Sequence, residues 1–337
     1  MEQLWAVVLA AGEGKRMRSS LPKVLHRLCG RPMLEYVLDA VAELTGQILI
    51  VVGHGAEKVQ ETIGPRWSYV LQEKQLGTGH AVQQAMPFLP EEGRLLVLCG
   101  DTPLLEGKVL ARMLQEHGSR AATVMTARVP HPAGYGRIVR RDDGSVARIV
   151  EDKDAAPAEK AIAEINCGAY CFDLRRLRQL LPRLEAANRQ GEYYLTDIIA
   201  MMVAKGWPVG AFQIEDYRVG LGVNDRVHLA EAAALCRERI NGRLMREGVT
   251  IIDPSSTYID YRVQVGADTV IWPQTVIEGD TVIGAGCRIG PGAYLRQAHL
   301  SDGVAVIYSV VEESTIEEGA TVGPFAHIHP GKRPPPP

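Results

Sequence analysis

The sequence is short of several features that mark large functional classes. Aromatic residues make up only 6% of its 337 positions, too few for a platform on which nucleic-acid bases stack. The formal net charge is −3, so no basic excess draws the chain to nucleic acid or to an anionic membrane. No apolar run approaches the ~18 residues of a membrane-spanning helix. The one N-terminal apolar run, Leu4 to Ala11, follows acidic Glu2 and leads straight into Gly12-Glu13-Gly14. A signal peptide would begin with basic residues and end at a cleavage site, so this run reads as a buried strand and the protein as cytoplasmic. The six cysteines include no C-x-x-C pair and the nine histidines no H-x-x-x-H, which leaves zinc without a ligand pattern. Neither G-x-G-x-x-G nor G-x-x-x-x-G-K-[ST] occurs, so a dinucleotide fingerprint and a P-loop are both excluded.

What is present is an ordinary globular composition, 46% apolar and 23% charged, at a length that suggests about two domains. The first half alternates strand and helix runs. "LWAVVLA", "QILIVVG", "WSYVLQ" and "RLLVLCGD" read as strands, with Met33, Val37, Ala40, Val41 and Leu44 at helical spacing and a polar helix over 56–63. Such alternation predicts a mostly parallel sheet covered on both faces, with ligands at the C-terminal strand ends. From Ala121 the strand runs "AATVMTARV", "GRIVR", "VARIVED" and "INCGAYCFD" follow one another without long helices. They are expected to form an inserted layer over the sheet edge. Helices follow near 174–181 and 196–205, then a long one over 225–247 with Leu229, Ala233, Cys236, Ile240 and Leu244 as its apolar stripe.

After Gly248 the period changes. Ile259, Val265, Ile271, Ile277, Ile283, Ile289 and Leu295 stand six apart; the frame then slips by three and resumes at Val304, Val310, Ile316, Val322 and Ile328. Small residues recur four places after the aliphatic one, at Thr269, Thr275, Thr281, Cys287 and Ala293. A six-residue period marks a parallel β-helix of stacked coils, here roughly four. The chain closes on "HPGKRPPPP", whose prolines favour an extended, exposed tail.

Chemistry concentrates first at Leu9-Ala10-Ala11-Gly12-Glu13-Gly14-Lys15-Arg16, with Lys23 in "LPK" just beyond. Small residues at a strand end let backbone N–H groups approach phosphate oxygens, and Arg16 and Lys23 add cations. At this point the chain resembles the sugar nucleotidyltransferases, and among them the bacterial bifunctional N-acetylglucosamine-1-phosphate uridylyltransferase/glucosamine-1-phosphate acetyltransferases. "LAAGEGKRM", "LPKVLH", "VLQEKQLGTGHA", "GYGRIVR", "INCGAY", "GEYYLTDII" and "GVNDR" look like the family's segments, in the family's order.

The resemblance implies a Rossmann-like α/β nucleotidyltransferase domain over 1–227, with a mixed, mostly parallel sheet. A linker helix over 228–249, a short left-handed parallel β-helix of hexapeptide repeats over 250–329 and a Pro-rich tail over 330–337 would follow. It implies conversion of UTP and N-acetylglucosamine 1-phosphate to UDP-N-acetylglucosamine and pyrophosphate with Mg2+, and a homotrimer assembled through the β-helix. The family's acetyltransferase site lies on later coils than these, so acetyl transfer is not expected of this chain. Residue by residue, Leu9, Ala10, Ala11, Gly12, Lys23, Gln72, Gly77, Thr78, Cys99, Gly100 and Asp101 match nucleotide-binding positions. A Gln72 carboxamide offers a donor and an acceptor side by side, the complement of uracil's N3–H and carbonyl edge. Asp101 and Asn224 supply oxygens suited to Mg2+, and Arg16, Lys23 and Asp101 carry the catalysis. Gly136, Glu151, Asn166, Tyr194, Thr196 and Asn224 match sugar-binding positions.

The chain departs from the family at Cys99, where an aromatic residue is usual, at Leu221, where Glu is usual, and at Cys167, where Thr is usual. Two rival readings stay open. One is the same chemistry on glucose 1-phosphate with UTP or dTTP; the other is a non-catalytic module that binds nucleotide sugars.

Overall fold

The computed structural model describes residues 3–330; of the Pro-rich tail, only Pro330 lies among them. The chain divides into two compact units. The first runs to His26 and from Pro32 to His228; the second takes Arg27–Arg31 and everything from Leu229.

The first unit is built on one mixed sheet. Its strands are β1 (Leu4–Ala10), β2 (Ile48–Val52), β3 (Ser68–Leu71), β4 (Arg94–Cys99), β5 (Ala122–Arg128), β6 (Arg137–Arg140), β7 (Val146–Val150), β8 (Glu164–Asp173) and β9 (Val209–Gln213). The order across the sheet is β9-β5-β8-β4-β1-β2-β3, with β6 paired to β8 and β7 paired to β6. Strands β4, β1, β2 and β3 are mutually parallel, while β8 runs antiparallel to β4 and β5. The expected layer over the sheet edge is therefore corrected. β5 and β8 belong to the sheet itself, and only the β6–β7 hairpin lies off its main path. The cause is in their composition: Ala169 to Phe172 are buried on both faces, so these strands gain more as central strands than as a one-sided cover.

Side chains alternate across the strands and feed two cores. Ala6, Val8, Ile50, Leu96 and Leu98 pack with helices α1 (Met33–Ala42) and, following α2 (Ala56–Ile63) and α3 (Thr78–Ala85) in the chain, α4 (Gly107–His117). Val7, Val51, Leu95 and Val97 face the opposite side. There they pack with α3 and, beyond the short α5 (Pro157–Lys160), with α6 (Leu174–Leu180) and α7 (Asp197–Ala204). Each such Val or Leu contributes about 1.5–3 kcal/mol by burial. Helix α4 and strand β9 were not singled out in the sequence.

Helix α8 (Arg226–Arg246) buries Cys236, Ile240 and Leu244 of the expected stripe, together with Ala232 and Asn241. Asn241 is held by the Pro254 and Thr257 carbonyls at 3.0 and 3.1 Å. Beyond α8, short strands form three parallel sheets of five, five and four strands. Ile259, Ile277, Leu295, Val311 and Ile328 stack in one; Ile271, Ile289, Val306 and Val322 stack in the next; Val265, Ile283, Leu300 and Ile316 in the third. The expected net slip of three is present but is spread over three places. Leu295 to Leu300, Val306 to Val311 and Val311 to Ile316 are each one residue short of the hexad. Val306 and Val311 therefore take the ladder places expected for Val304 and Val310. Each short step turns on one non-glycine residue in the left-handed region, Gln297, Tyr308 or Glu313.

Candidate active site

The parallel strands end on one side of the first unit, and the chemistry gathers there. β1 runs into the Ala11–Gly14 loop, followed by a 3-10 turn over Lys15–Met17 that buried Met17 anchors. Gly14 sits at φ 64°, and a Cβ there would come within 2.6 Å of Lys23 Cβ. Only glycine serves both demands, the left-handed turn and the passage of the Lys23 stem across it. Lys23 opens a second 3-10 turn, Lys23–Leu25, fixed by buried Val24 and Leu25. β4 ends at Cys99, and the Gly100 N–H donates to Leu9 O at 2.9 Å, tying the ends of β1 and β4 together just before Asp101.

The Lys23 ammonium forms an ion pair with Asp101 Oδ2 and lies 3.4 Å from Asn224 Oδ1. Arg16 Nη2 donates to the same Asn224 oxygen at 2.8 Å. The Val223 N–H donates to Asp101 O at 2.8 Å, which brings Asn224 to the end of β4. Two hard oxygens from distant parts of the chain thus converge on one cationic point. No cluster of three or more His, Cys, Asp or Glu side chains able to hold a metal occurs among the described residues. A cation here would complete its shell with water and phosphate, as Mg2+ commonly does. Beside this cluster, burial pushes the Cys99 thiol up to about 12, so Cys99 is a neutral wall at neutral pH.

A cleft of about 790 Å³ opens over these strand ends. Of the residues singled out in the sequence, Leu9, Ala10, Ala11, Gly12, Arg16, Lys23, Gln72, Gly77, Thr78, Cys99, Asp101, Glu151 and Asn224 border it. On the nucleotide side, Gln72 is buried just past the end of β3. Its Nε2 donates to Gly77 O at 3.1 Å and lies 2.9 Å from His80 Nδ1. The Gly77 carbonyl thereby holds the NH2 end, which leaves the carboxamide oxygen as the group Gln72 can offer. Gly77 sits at φ 109°, where a Cβ would lie 2.6 Å from Tyr193 O.

On the opposite side, Glu151 borders the cleft and accepts from Thr196 Oγ1 at 3.0 Å. Burial raises its carboxyl above the usual range, and the Thr196 hydrogen bond opposes that rise. Gly100, Gly136, Asn166, Tyr194 and Thr196 do not border the cleft. Asn166 is turned to a bulge in β8, where its Nδ2 donates to Tyr170 OH at 2.6 Å and its Oδ1 accepts from the Gly168 N–H at 3.0 Å. Tyr194 OH accepts from Gln190 Nε2 at 2.6 Å. Gly136 lies under both Glu151 and Asn166, 3.5 and 3.6 Å from where its Cβ would stand. Sequence reasoning did not single out Asp152, Lys153, Gln190 and Glu192, which also border the cleft. Lys153 was detectable as a cation two residues beyond Glu151, and Glu192 as part of "GEYYLTDII".

No helix among the described residues is long and apolar enough to cross a membrane. The MobA-like NTP transferase domain family matches residues 6–166, the span that carries most of this cleft. The bacterial transferase hexapeptide family, as six repeats, matches residues 262–297, in keeping with a left-handed parallel β-helix. The chain is 52% identical to the bifunctional protein GlmU of Acetivibrio thermocellus, over 98% of this chain and 73% of that protein. It is 49% identical to the GlmU of Brevibacillus brevis, over 99% of this chain and 73% of the relative. Identity to the GlmU of Thermoanaerobacter pseudethanolicus is 47%, over 98% and 73%. With a nucleotidyltransferase domain, hexapeptide repeats and relatives matched over nearly its whole length, the chain belongs to the GlmU family.

Proposed function

We propose that the cleft joins UTP to N-acetylglucosamine 1-phosphate, giving UDP-N-acetylglucosamine and pyrophosphate. The observation that carries this is the convergence of Asp101 Oδ2 and Asn224 Oδ1 on the Lys23 ammonium, beside a glycine loop that ends a parallel strand. The two substrates together bring roughly six negative charges, and their approach needs cations. Lys23 and Arg16 are placed to neutralise the triphosphate. Mg2+ held by Asp101 and Asn224, with phosphates and water, would supply further screening of that charge.

The nucleophile is an oxygen of the sugar phosphate, already ionised at neutral pH, so no general base is required. It attacks the α-phosphorus of UTP in line. The new P–O bond forms as the bond to the bridging oxygen breaks, and the electron pair leaves on pyrophosphate. Catalysis is then positioning plus electrostatics. For the base, the Gln72 carboxamide oxygen accepts from uracil N3–H and the Gly77 N–H donates to the neighbouring carbonyl. Glu151, held by Thr196, accepts from sugar hydroxyls. The assembly expected with this reading is a homotrimer built on the β-helix; exposed Tyr258, Tyr308 and Phe325 support an apolar contact there.

The deciding experiment is pyrophosphate release with Mg2+ and UTP, offering N-acetylglucosamine 1-phosphate or glucose 1-phosphate in parallel. Release mainly with the N-acetyl sugar is expected. Release mainly with glucose 1-phosphate overturns the sugar assignment, and silence with both, from folded protein, overturns the reaction. Asp101→Ala is expected to abolish release; full activity of that variant at saturating Mg2+ would refute the metal assignment.

A further inference from the structure

We infer that His80 is a positioning residue that sets the nucleobase choice of the cleft by fixing which end of the Gln72 carboxamide faces the base. The inference rests on the proposed uridylyl transfer and deepens it.

A carboxamide has two nearly isosteric ends, one a donor and one an acceptor. Turned one way Gln72 would accept from uracil N3–H; turned the other way it would donate to cytosine N3. Burial alone does not choose between them. The choice lies in the neighbours. Gln72 Nε2 stands 3.1 Å from the Gly77 carbonyl oxygen and 2.9 Å from His80 Nδ1. The carbonyl can only accept, so the NH2 end of the amide faces both groups. His80 itself does not border the cleft. It sits on α3 three residues past Gly77, its Nε2 3.2 Å from Gln84 Nε2 and its ring 6.3 Å from that of Tyr193.

His80 Nδ1 faces the end of Gln72 that the Gly77 carbonyl holds, so in this arrangement it accepts too, with the ring proton on Nε2 and the Gln84 amide turned to offer its oxygen. With a proton on Nδ1 the ring would call instead for the oxygen of Gln72, in conflict with the Gly77 carbonyl, and the amide would no longer be held in one orientation. Among the described residues, no group accepts the Gly77 N–H. The cleft thus presents an acceptor and a donor in a fixed order, which matches N3–H and O4 of uracil and mismatches N3 and the 4-amino group of cytosine. Buried polar groups left unpaired by the wrong base make such a site selective.

The test compares UTP with CTP as nucleotide, with N-acetylglucosamine 1-phosphate and Mg2+, for wild type, His80→Leu and His80→Asn. Removing one neutral hydrogen bond from Gln72 is expected to lower the UTP-over-CTP preference in kcat/KM about fivefold. The loss should appear in the KM for UTP rather than in kcat, since the reacting atoms are untouched. His80→Asn, whose side-chain oxygen can accept in place of Nδ1, is expected to restore the preference. An unchanged preference in His80→Leu overturns the inference while leaving the uridylyl reaction standing. Release by wild type with neither nucleotide overturns that reaction and the inference with it. Should His80→Leu not fold, the side-chain nitrogen shifts of wild-type His80 decide the matter. A proton on Nε2 supports the assignment, and one on Nδ1 overturns it.

Discussion

Replacing Gly12 by alanine separates what the fold needs from what the ligand needs. A Cβ at Gly12 would meet no protein atom within 4 Å, and Gly12 is not among the glycines at positive φ. The folded chain therefore has both the room and the backbone for alanine. By restricting the unfolded state, the substitution is expected to stabilise the first unit by about 0.4–1 kcal/mol. Yet Gly12 borders the cleft, where its bare backbone can come close to a phosphate. A methyl group there displaces one charge-assisted hydrogen bond, worth about 1.5–3 kcal/mol, so kcat/KM for UTP should fall about ten- to hundredfold. Calorimetric melting and pyrophosphate-release kinetics on the same preparation read both halves. A variant as stable as expected but with wild-type kcat/KM for UTP would refute the idea that this loop binds phosphate through its backbone. Gly77→Ala is the contrast. Its Cβ would lie 2.6 Å from Tyr193 O and 2.9 Å from Tyr193 N, which no rotamer relieves, so it is expected to lose stability by about 1–3 kcal/mol as well as activity.

Two further outcomes follow from the geometry. Burial raises the Glu151 carboxyl, so its favourable contribution belongs to the protonated form and is lost as pH rises through the raised value. Glu151→Gln should therefore gain stability relative to wild type as pH climbs from acid to neutral, while the KM for the sugar phosphate increases; a stability gap that does not widen with pH counts against the buried-charge account. Ile277 is fully buried between Ile259 and Leu295, and Ile277→Ala is expected to weaken the β-helix by about 3 kcal/mol with nucleotidyl transfer unchanged. A loss below about 0.5 kcal/mol on denaturant unfolding would mean that the coils are not close-packed.

The elements whose signal is local were legible in the sequence. β1, β2, β3 and β4 fall within the apolar runs that announced them, and α2 has the bounds its polar pattern implied. Sheet order was not legible, because it depends on pairing between distant strands. The antiparallel seam of β8 with β4 places a run that looked like an insertion in the middle of the sheet. Most of the strand-end residues singled out in the sequence border the cleft because the topology opens it at the C-terminal ends of the parallel strands. The setting of Asn166 was not legible, because strand alternation cannot foresee the register shift between Asn166 and Tyr170, where its amide bonds to Tyr170. Lys153 and Gln190 escaped notice because polar loop residues carry no periodic signal.

The three short steps of the β-helix have a consequence for how such a coil tolerates change in length. In a flat sheet, losing one residue sends every later side chain to the wrong face. Here the loss is absorbed at a corner, where Gln297, Tyr308 and Glu313 turn the chain in the left-handed region, and the next aliphatic residue still points inward. Leu300, Val311 and Ile316 keep their places in the ladders although the spacing before each has contracted. Single-residue deletions can therefore accumulate at corners without unpicking the core. A search that demands strict hexads will see the coil stop near Leu295, while the stacked column itself continues to Ile328.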